Sequence, residues 1–267
     1  MNELLSLFTY DFMQRAFVVG LVIGVIAPLI GLYVVTRGYS LMADTLSHVA
    51  LAGIAIGTLF GAAPIPFAIA ATVIAAIGIE RLGSRAHIFG ESILAIFLSG
   101  SLALAIVLMS VQSGFSGDLL SYLFGSITTV TTSDVQIISV LGGVIVVGVL
   151  VLYRQLFLVS FDPDIAQSQG MRAQRYELAL LIMTAVTVAM AMRIVGVLLI
   201  GALMVMPTLS GMLLGKSFVR SHVIAVVCSL LSVIFGIAIS YIAETATGGT
   251  IVLCALTLFI LSVIWRR

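Results

Sequence analysis

Asp44 and His48 stand four residues apart in the segment 40–53 (SLMADTLSHVALAG), which runs straight into apolar sequence. On a helix that spacing projects both side chains from one face, with Thr45 and Ser47 beside them. One carboxylate oxygen and one imidazole nitrogen suit a borderline divalent cation such as Zn²⁺ or Mn²⁺. Two ligands are too few to hold it. A two-fold dimer with this face on its axis would bring two aspartates and two histidines together. Such ligands must be deprotonated, so the station should weaken as pH falls through the histidine range near ~6.5. The plainer reading makes Asp44 a helix N-cap and His48 an interfacial histidine.

The other titratable candidates carry less. His87 lies between Arg85 and Glu91, and His222 follows Lys216 and Arg220, so both read as solvated loop residues rather than ligands. Cys228 and Cys254 sit in separate apolar runs and read as small core residues, not as a disulfide framework or a zinc cluster.

The elements that must position Asp44 and His48 follow from composition. Of 267 residues 61% are apolar and 9% charged, with 12 basic and 11 acidic side chains and a net charge of +1. A soluble domain carries about 25% charged residues, so a soluble enzyme and a nucleic-acid binder are both excluded, and lipid must solvate most of the chain. The chain reads as an all-α, polytopic membrane protein. A spanning helix needs about 20 mostly apolar residues, and nine stretches qualify: 13–35, 45–62, 65–82, 92–112, 134–153, 177–193, 195–214, 219–242 and 249–265. The second, with its ionisable pair, and the seventh, with Pro207 and several glycines, could be short or broken, so eight full spans is the alternative. Glu3 and Asp11 give the wrong charge for a secretory leader, so the N-terminus is expected to stay on the protein.

Basic residues orient the bundle. With the C-terminus cytoplasmic and the N-terminus outside, nine passes place Arg37, Arg81, Arg85, Arg154, Arg172, Arg175, Lys216, Arg220, Arg266 and Arg267 inside, which is 10 of the 12 basic residues. The outer side keeps Arg15 and Arg193. The result is a single transmembrane domain over 1–267, with its longest inner connection at 154–177. Gly20 with Gly24, Gly53 with Gly57 and Gly61, and Gly211 with Gly215 are spaced for close helix approach, although glycine is common in membrane helices anyway.

Within the inner connection, 161–170 (FDPDIAQSQG) reads as a short helix. Asp162 can cap it, Pro163 suits its first turn and Gly170 can end it. Such a helix could dock on a soluble partner or lie on the membrane surface. Near the seventh stretch, Met204, Met206 and Pro207 could line a gate, because a proline break in a membrane helix is tolerated where it lines a cavity or packs in protein; methionine is also ordinary core filler. Glu244 could attract cations at the outer end of the eighth stretch, or be an ordinary interfacial carboxylate. The run 210–217 (SGMLLGKS) imitates a phosphate-binding loop, but it has Ser210 where glycine is needed and ends a membrane helix. No stretch reads as an ATP site.

Residues 37–53 (RGYSLMADTLSHVALAG) resemble the signature of the metal-ion ABC importer permease family, in particular its ZnuB/AdcB-like zinc permeases, which are related to manganese permeases. The runs 122–126 (YLFGS), 164–170 (DIAQSQG), 196–207 and 248–252 (GGTIV) fall in the same order as in that family, so the resemblance covers essentially the whole chain. The runs 10–17 and 240–245 look closest to zinc permeases of Gram-positive bacteria. The resemblance implies a permease homodimer in a bacterial plasma membrane, working with a cytoplasmic ATP-binding-cassette ATPase dimer and an extracellular metal-binding lipoprotein. It implies that Asp44 and His48 lie on the path of the ion, and that the segment carrying Asp162, Asp164, Ala166 and Gly170 contacts the ATPase. The permease would itself be no enzyme and hold no cofactor, its cargo being a divalent ion, Zn²⁺ first and Mn²⁺ or Fe²⁺ as alternatives. A histidine-rich cytoplasmic loop and an outer metal cluster are absent from the sequence. A gradient-driven cation carrier is the alternative of a different class, and it would want more charged residues within the spans.

Overall fold

The computed structural model describes residues 10–86, 90–111, 123–125, 130–197 and 199–266. His87, residues 1–9, Arg267, most of the 113–129 connection and the ends of the 122–126 run lie outside the described residues. Among those described there are eleven helices and no strands. We number them α1 (Asp11–Thr36), α2 (Met42–Leu59), α3 (Pro64–Ala86), α4 (Gly90–Val111), α5 (Thr132–Val151), α6 (Tyr153–Phe161), α7 (Pro163–Ser168), α8 (Ala173–Val195), α9 (Ile200–Leu214), α10 (Phe218–Ala243) and α11 (Thr247–Trp265).

Eight of these are long and apolar enough to cross a bilayer. The seventh stretch, 195–214, differs from the nine-span expectation and follows the eight-span alternative. Its helix, α9, has 15 residues, a length of about 22 Å at 1.5 Å per residue, short of a hydrocarbon core of about 30 Å. Ahead of α9, Gly196 adopts φ +85°, ψ 159° and ends α8, and Gly196, Val197 and Leu199 are not helical. The second stretch is an intact helix despite its ionisable pair. The 154–177 connection also holds one helix more than the sequence suggests: α6 and α7 are separate, and Asp162 is the C-cap of one and the N-cap of the other.

Side-chain caps fix three helix starts, those of α5, α7 and α10. Thr131 and Asp134 form a reciprocal capping box at the start of α5, an arrangement that satisfies two otherwise orphaned donors. Ser217 caps α10 by accepting from the Arg220 amide, so the phosphate-loop look-alike resolves into the end of α9 and a helix cap.

α1 and α2 are the most enclosed spans. α1 packs on α5, α8, α9 and α10, whereas α2 packs on α3, α4, α8 and α9. Glycine sets the spacing at each seam. A β-carbon on Gly20 would lie 2.9 Å from Val233 of α10, one on Gly53 2.8 Å from the Ala68 Cα of α3, and one on Gly211 2.8 Å from Ala225 of α10. The small-residue steps are therefore contact faces, with Gly61 the exception: it turns the chain at φ +63° in open space. Cys228 and Cys254 are free thiols and half-buried, not core residues, because each faces partly out of the bundle.

Candidate functional site

α2 places Asp44 in its first turn and His48 one turn later. Asp44 does not cap the helix. The N-cap is Leu41, with no side-chain cap bond, and the plainer reading of Asp44 fails there. Thr45 and Ser47 are fully buried, and their hydroxyls donate to backbone carbonyls, Thr45 to Leu41 at 3.0 Å and Ser47 to Asp44 at 2.7 Å. That leaves the carboxylate of Asp44 and the ring of His48, both half-buried. The Nδ1 of His48 is buried and makes no hydrogen bond, an arrangement that costs free energy unless another group arrives to use the lone pair or proton. Among the described residues no group of three or more His, Cys, Asp and Glu could hold a metal. One chain offers two ligands here.

The carboxylate of Asp44 faces Gly201, the second residue of α9. A β-carbon there would lie 2.7 Å from the Asp44 Cγ and closer still to its Oδ1. α9 starts without a side-chain cap, so its first-turn N–H groups lack intrahelical partners. A helix start carries partial positive charge, and half-helices that begin inside membrane proteins commonly present that end to an ionic group. The break that aims α9 at Asp44 is itself held from outside. At Gly196 a β-carbon would strike the Leu123 carbonyl oxygen and the backbone of Phe124 and Gly125, and at Gly248 one would strike the Val195 carbonyl oxygen and approach that of Phe124. Three runs far apart in sequence thus meet backbone to backbone, at 123–125, 195–196 and 248.

The other residues named from sequence fall into place around this core. Met204 is 1% exposed and packs at Gly31 of α1, in the core of the bundle. Pro207 is buried and Met206 half-buried on the same helix. Glu244 is exposed at the C-cap of α10, in the left-handed region at φ 51°. His222 is not a solvated loop residue. α10 begins at Phe218, so His222 lies in its second turn and is 8% exposed, against Phe218, Tyr33 and Tyr153 at ring distances of 4.6, 5.2 and 6.3 Å. Its Nδ1 donates to the Phe218 carbonyl oxygen at 3.0 Å.

At the opposite end from Gly196, α7 is built as its sequence indicates. Asp162 accepts from the Asp164 and Ile165 amides at 3.1 and 2.9 Å, Pro163 occupies the first turn, and Gly170 turns the chain at φ +78°. Ala166 is fully buried between Val159 and Ala173. Asp164 is exposed, as are Ile165 and Phe161. Beneath α7, the Arg37 guanidinium reaches two helices at once. Its Nη2 lies 2.7 Å from Glu177 Oε1 on α8, and its Nη1 donates to the Val159 carbonyl oxygen of α6 at 2.9 Å. The Tyr39 hydroxyl donates to the same Glu177 oxygen at 3.3 Å. Burial and then the Glu177 carboxylate push the Tyr39 phenol up, against the pull of Arg37, so the phenol stays protonated.

Sequence reasoning passed over Gly201, Arg37 as a partner, Tyr39 and Glu177. Gly201 lies in a run already singled out, where its place beside Ala202, one turn before Met204, is the available signal. Arg37 and Glu177 are 140 positions apart, and no local pattern joins them.

The chain matches the family described as "ABC 3 transport family" over residues 9–266. It is 32% identical over 258 residues to the "Manganese transport system membrane protein MntC" of Halalkalibacterium halodurans, covering 96% of this chain and 88% of that one. It is 30% identical over 259 residues to the "High-affinity zinc uptake system membrane protein ZnuB" of Haemophilus influenzae, covering 97% and 99%. Among solved structures it superposes on a chain of "PsaBC from Streptococcus pneumoniae in complex with Fab" with a TM-score of 0.86 at 30% identity, covering 96% and 92%. It shares its fold with a chain of an inward-facing "putative metal-chelate type ABC transporter", with a TM-score of 0.72 at 18% identity and coverage of 95% and 86%.

Proposed function

The chain belongs to the ABC 3 transport family, and from that premise we propose that it passes Zn²⁺ into the cell through a station made by Asp44 and His48. It is a multi-pass membrane permease of a metal-ion ABC importer. The observation that carries the station is the buried, unpartnered Nδ1 of His48 one turn from a half-buried carboxylate. Two such pairs across a homodimer axis supply four ligands, the usual number for Zn²⁺. The distribution of basic residues supports α6, α7 and the C-terminus in the cytoplasm and the N-terminus outside, an orientation that requires the 195–214 stretch, with its short helix α9, to complete a ninth crossing.

The energy comes from a separate ATPase dimer that docks at α7, and an extracellular metal-binding lipoprotein delivers the ion. Exposed Ile165 and Phe161 support that docking: they are apolar side chains standing free at the end of the bundle, beside a helix fixed by its own cap. Inserting two glycines after Gln169 should uncouple α7 from the spans. ATP hydrolysis by the assembled complex would then persist while metal uptake falls by about tenfold or more; unchanged uptake per ATP would remove α7 from the coupling path.

Mn²⁺ is the second reading, favoured by the manganese transporter to which the chain is 32% identical. The deciding experiment reconstitutes the permease with its ATPase and binding lipoprotein in liposomes and measures ATP hydrolysis and uptake with Zn²⁺, Mn²⁺ and Fe²⁺ in turn. Zn²⁺ should stimulate both. Stimulation by Mn²⁺ alone replaces the first reading with the second, and uptake by the permease alone without nucleotide overturns both.

A further inference from the structure

We propose that Arg37 and Glu177 form the joint through which movement of α7 reaches the helix that carries Asp44 and His48. The inference rests on the reading of α7 as the ATPase contact and of Asp44 with His48 as the station. It concerns two residues with no part in either.

The geometry is that of a three-way tie. α7 is continuous with α6 through the shared cap at Asp162, and four residues separate it from α8. Both flanking helices are held by one guanidinium, through the Val159 carbonyl oxygen of α6 at 2.9 Å and the Glu177 carboxylate of α8 at 2.7 Å. Val159 lies in the last turn of α6, where carbonyls lack helical partners and a cation is favoured. The two ion-pair side chains are 13% and 19% exposed, which shields them from the screening that weakens surface pairs.

Arg37 in turn has little slack toward α2. Only residues 38–41 intervene, and they are a hydrogen-bonded turn: Gly38 at φ +80°, the Tyr39 amide on the Val34 carbonyl oxygen at 3.0 Å, and the Met42 amide on that of Tyr39 at 2.9 Å. The Tyr39 hydroxyl on Glu177 adds a second strand to the tie. A displacement of α6 and α8 at this end is therefore delivered to the first turn of α2, where Asp44 sits. A cleft of about 290 Å³ under α7, lined by Arg37, Tyr39, Glu80, Asp164, Gln167 and Glu177, leaves space for that displacement.

A charge exchange in the complete, reconstituted importer tests the joint, with ions imported per ATP hydrolysed as the readout. Glu177→Gln and Arg37→Glu should each lower that ratio by about tenfold, while Arg37→Glu combined with Glu177→Arg should recover most of it. Tyr39→Phe, which removes one hydroxyl and keeps the ring, should lower the ratio by about twofold. A merely structural pair would change the amount of assembled complex and leave the ratio alone, and that result overturns the proposal. So does a ratio unchanged in every variant, or a ratio that the exchange does not restore. Asp44→Ala run in parallel separates the two levels: normal transport by that variant removes the station, whereas normal coupling in the Arg37 and Glu177 variants beside an inactive Asp44→Ala removes the joint alone.

Discussion

Asp44→Asn should lower metal uptake by at least about 100-fold, because changes one shell beyond a metal already cost 10- to 100-fold, while the assembled permease stays near normal abundance. The substitution keeps the size of the side chain and removes the charge that offsets the cation. Asp44 is half-buried and caps no helix, so no cap is lost and no apolar cavity opens. His48→Ala should act as strongly, since it removes the one unpartnered ring nitrogen in the station. The measurement is radiolabelled uptake in cells, normalised to permease in the membrane. If Asp44→Ala and His48→Ala both transport normally, the ion travels elsewhere and the pair has only a local structural role.

Gly201→Ala carries the second large effect, and its sign is opposite to local expectation. Within a helix, alanine is favoured over glycine by about 1 kcal/mol, so on propensity alone the variant should be the more stable one. The new methyl group would instead occupy the position of the Asp44 carboxylate. Either Asp44 rotates away from the start of α9 or α9 backs out of the bundle, and both disturb the proposed station. Uptake should fall by about tenfold or more, in line with the sensitivity of reacting groups to ~1 Å misplacement. Gly100→Ala on α4 is the matched control, since a β-carbon there meets nothing within 4 Å. Equal uptake by the two variants would separate Gly201 from the station.

Much of this arrangement is legible in the residues themselves. Spans show because a bilayer demands long apolar runs, and eight long helices appear where the runs lie. The i, i+4 step from Asp44 to His48 and the Asp162, Pro163 and Gly170 punctuation of α7 are local, and local chemistry is what sequence carries best. The length of α9 is less legible. The stretch 195–214 is apolar throughout, and its break falls at Gly196, where backbone from 123–125 leaves no room for a β-carbon. His222 reads as solvated because Lys216 and Arg220 precede it, yet the register of α10 turns it toward Tyr33. Met204 packs against Gly31 in the core, as the reading of methionine as core filler allows. The meeting of Asp44 with Gly201, and of Arg37 with Glu177, depends on how helices distant in sequence are stacked, and no spacing rule within one segment reports it.

The junction of 123–125, 195–196 and 248 consists of carbonyl oxygens, amides and glycine Cα atoms, and this has a consequence for inheritance. The contact is made by the backbone of Leu123 and Phe124, so it does not itself fix the identity of either side chain. Gly196 and Gly248 have no such freedom. Every base change in the first two positions of a glycine codon adds a β-carbon or ends the chain, and at these two sites the β-carbon lands on backbone that has no alternative rotamer to offer. The opening in α8–α9 that brings a helix start to Asp44 therefore hangs on two codons remote in sequence from Asp44 and His48, in stretches where a reader tracking charge or polarity would see nothing to protect.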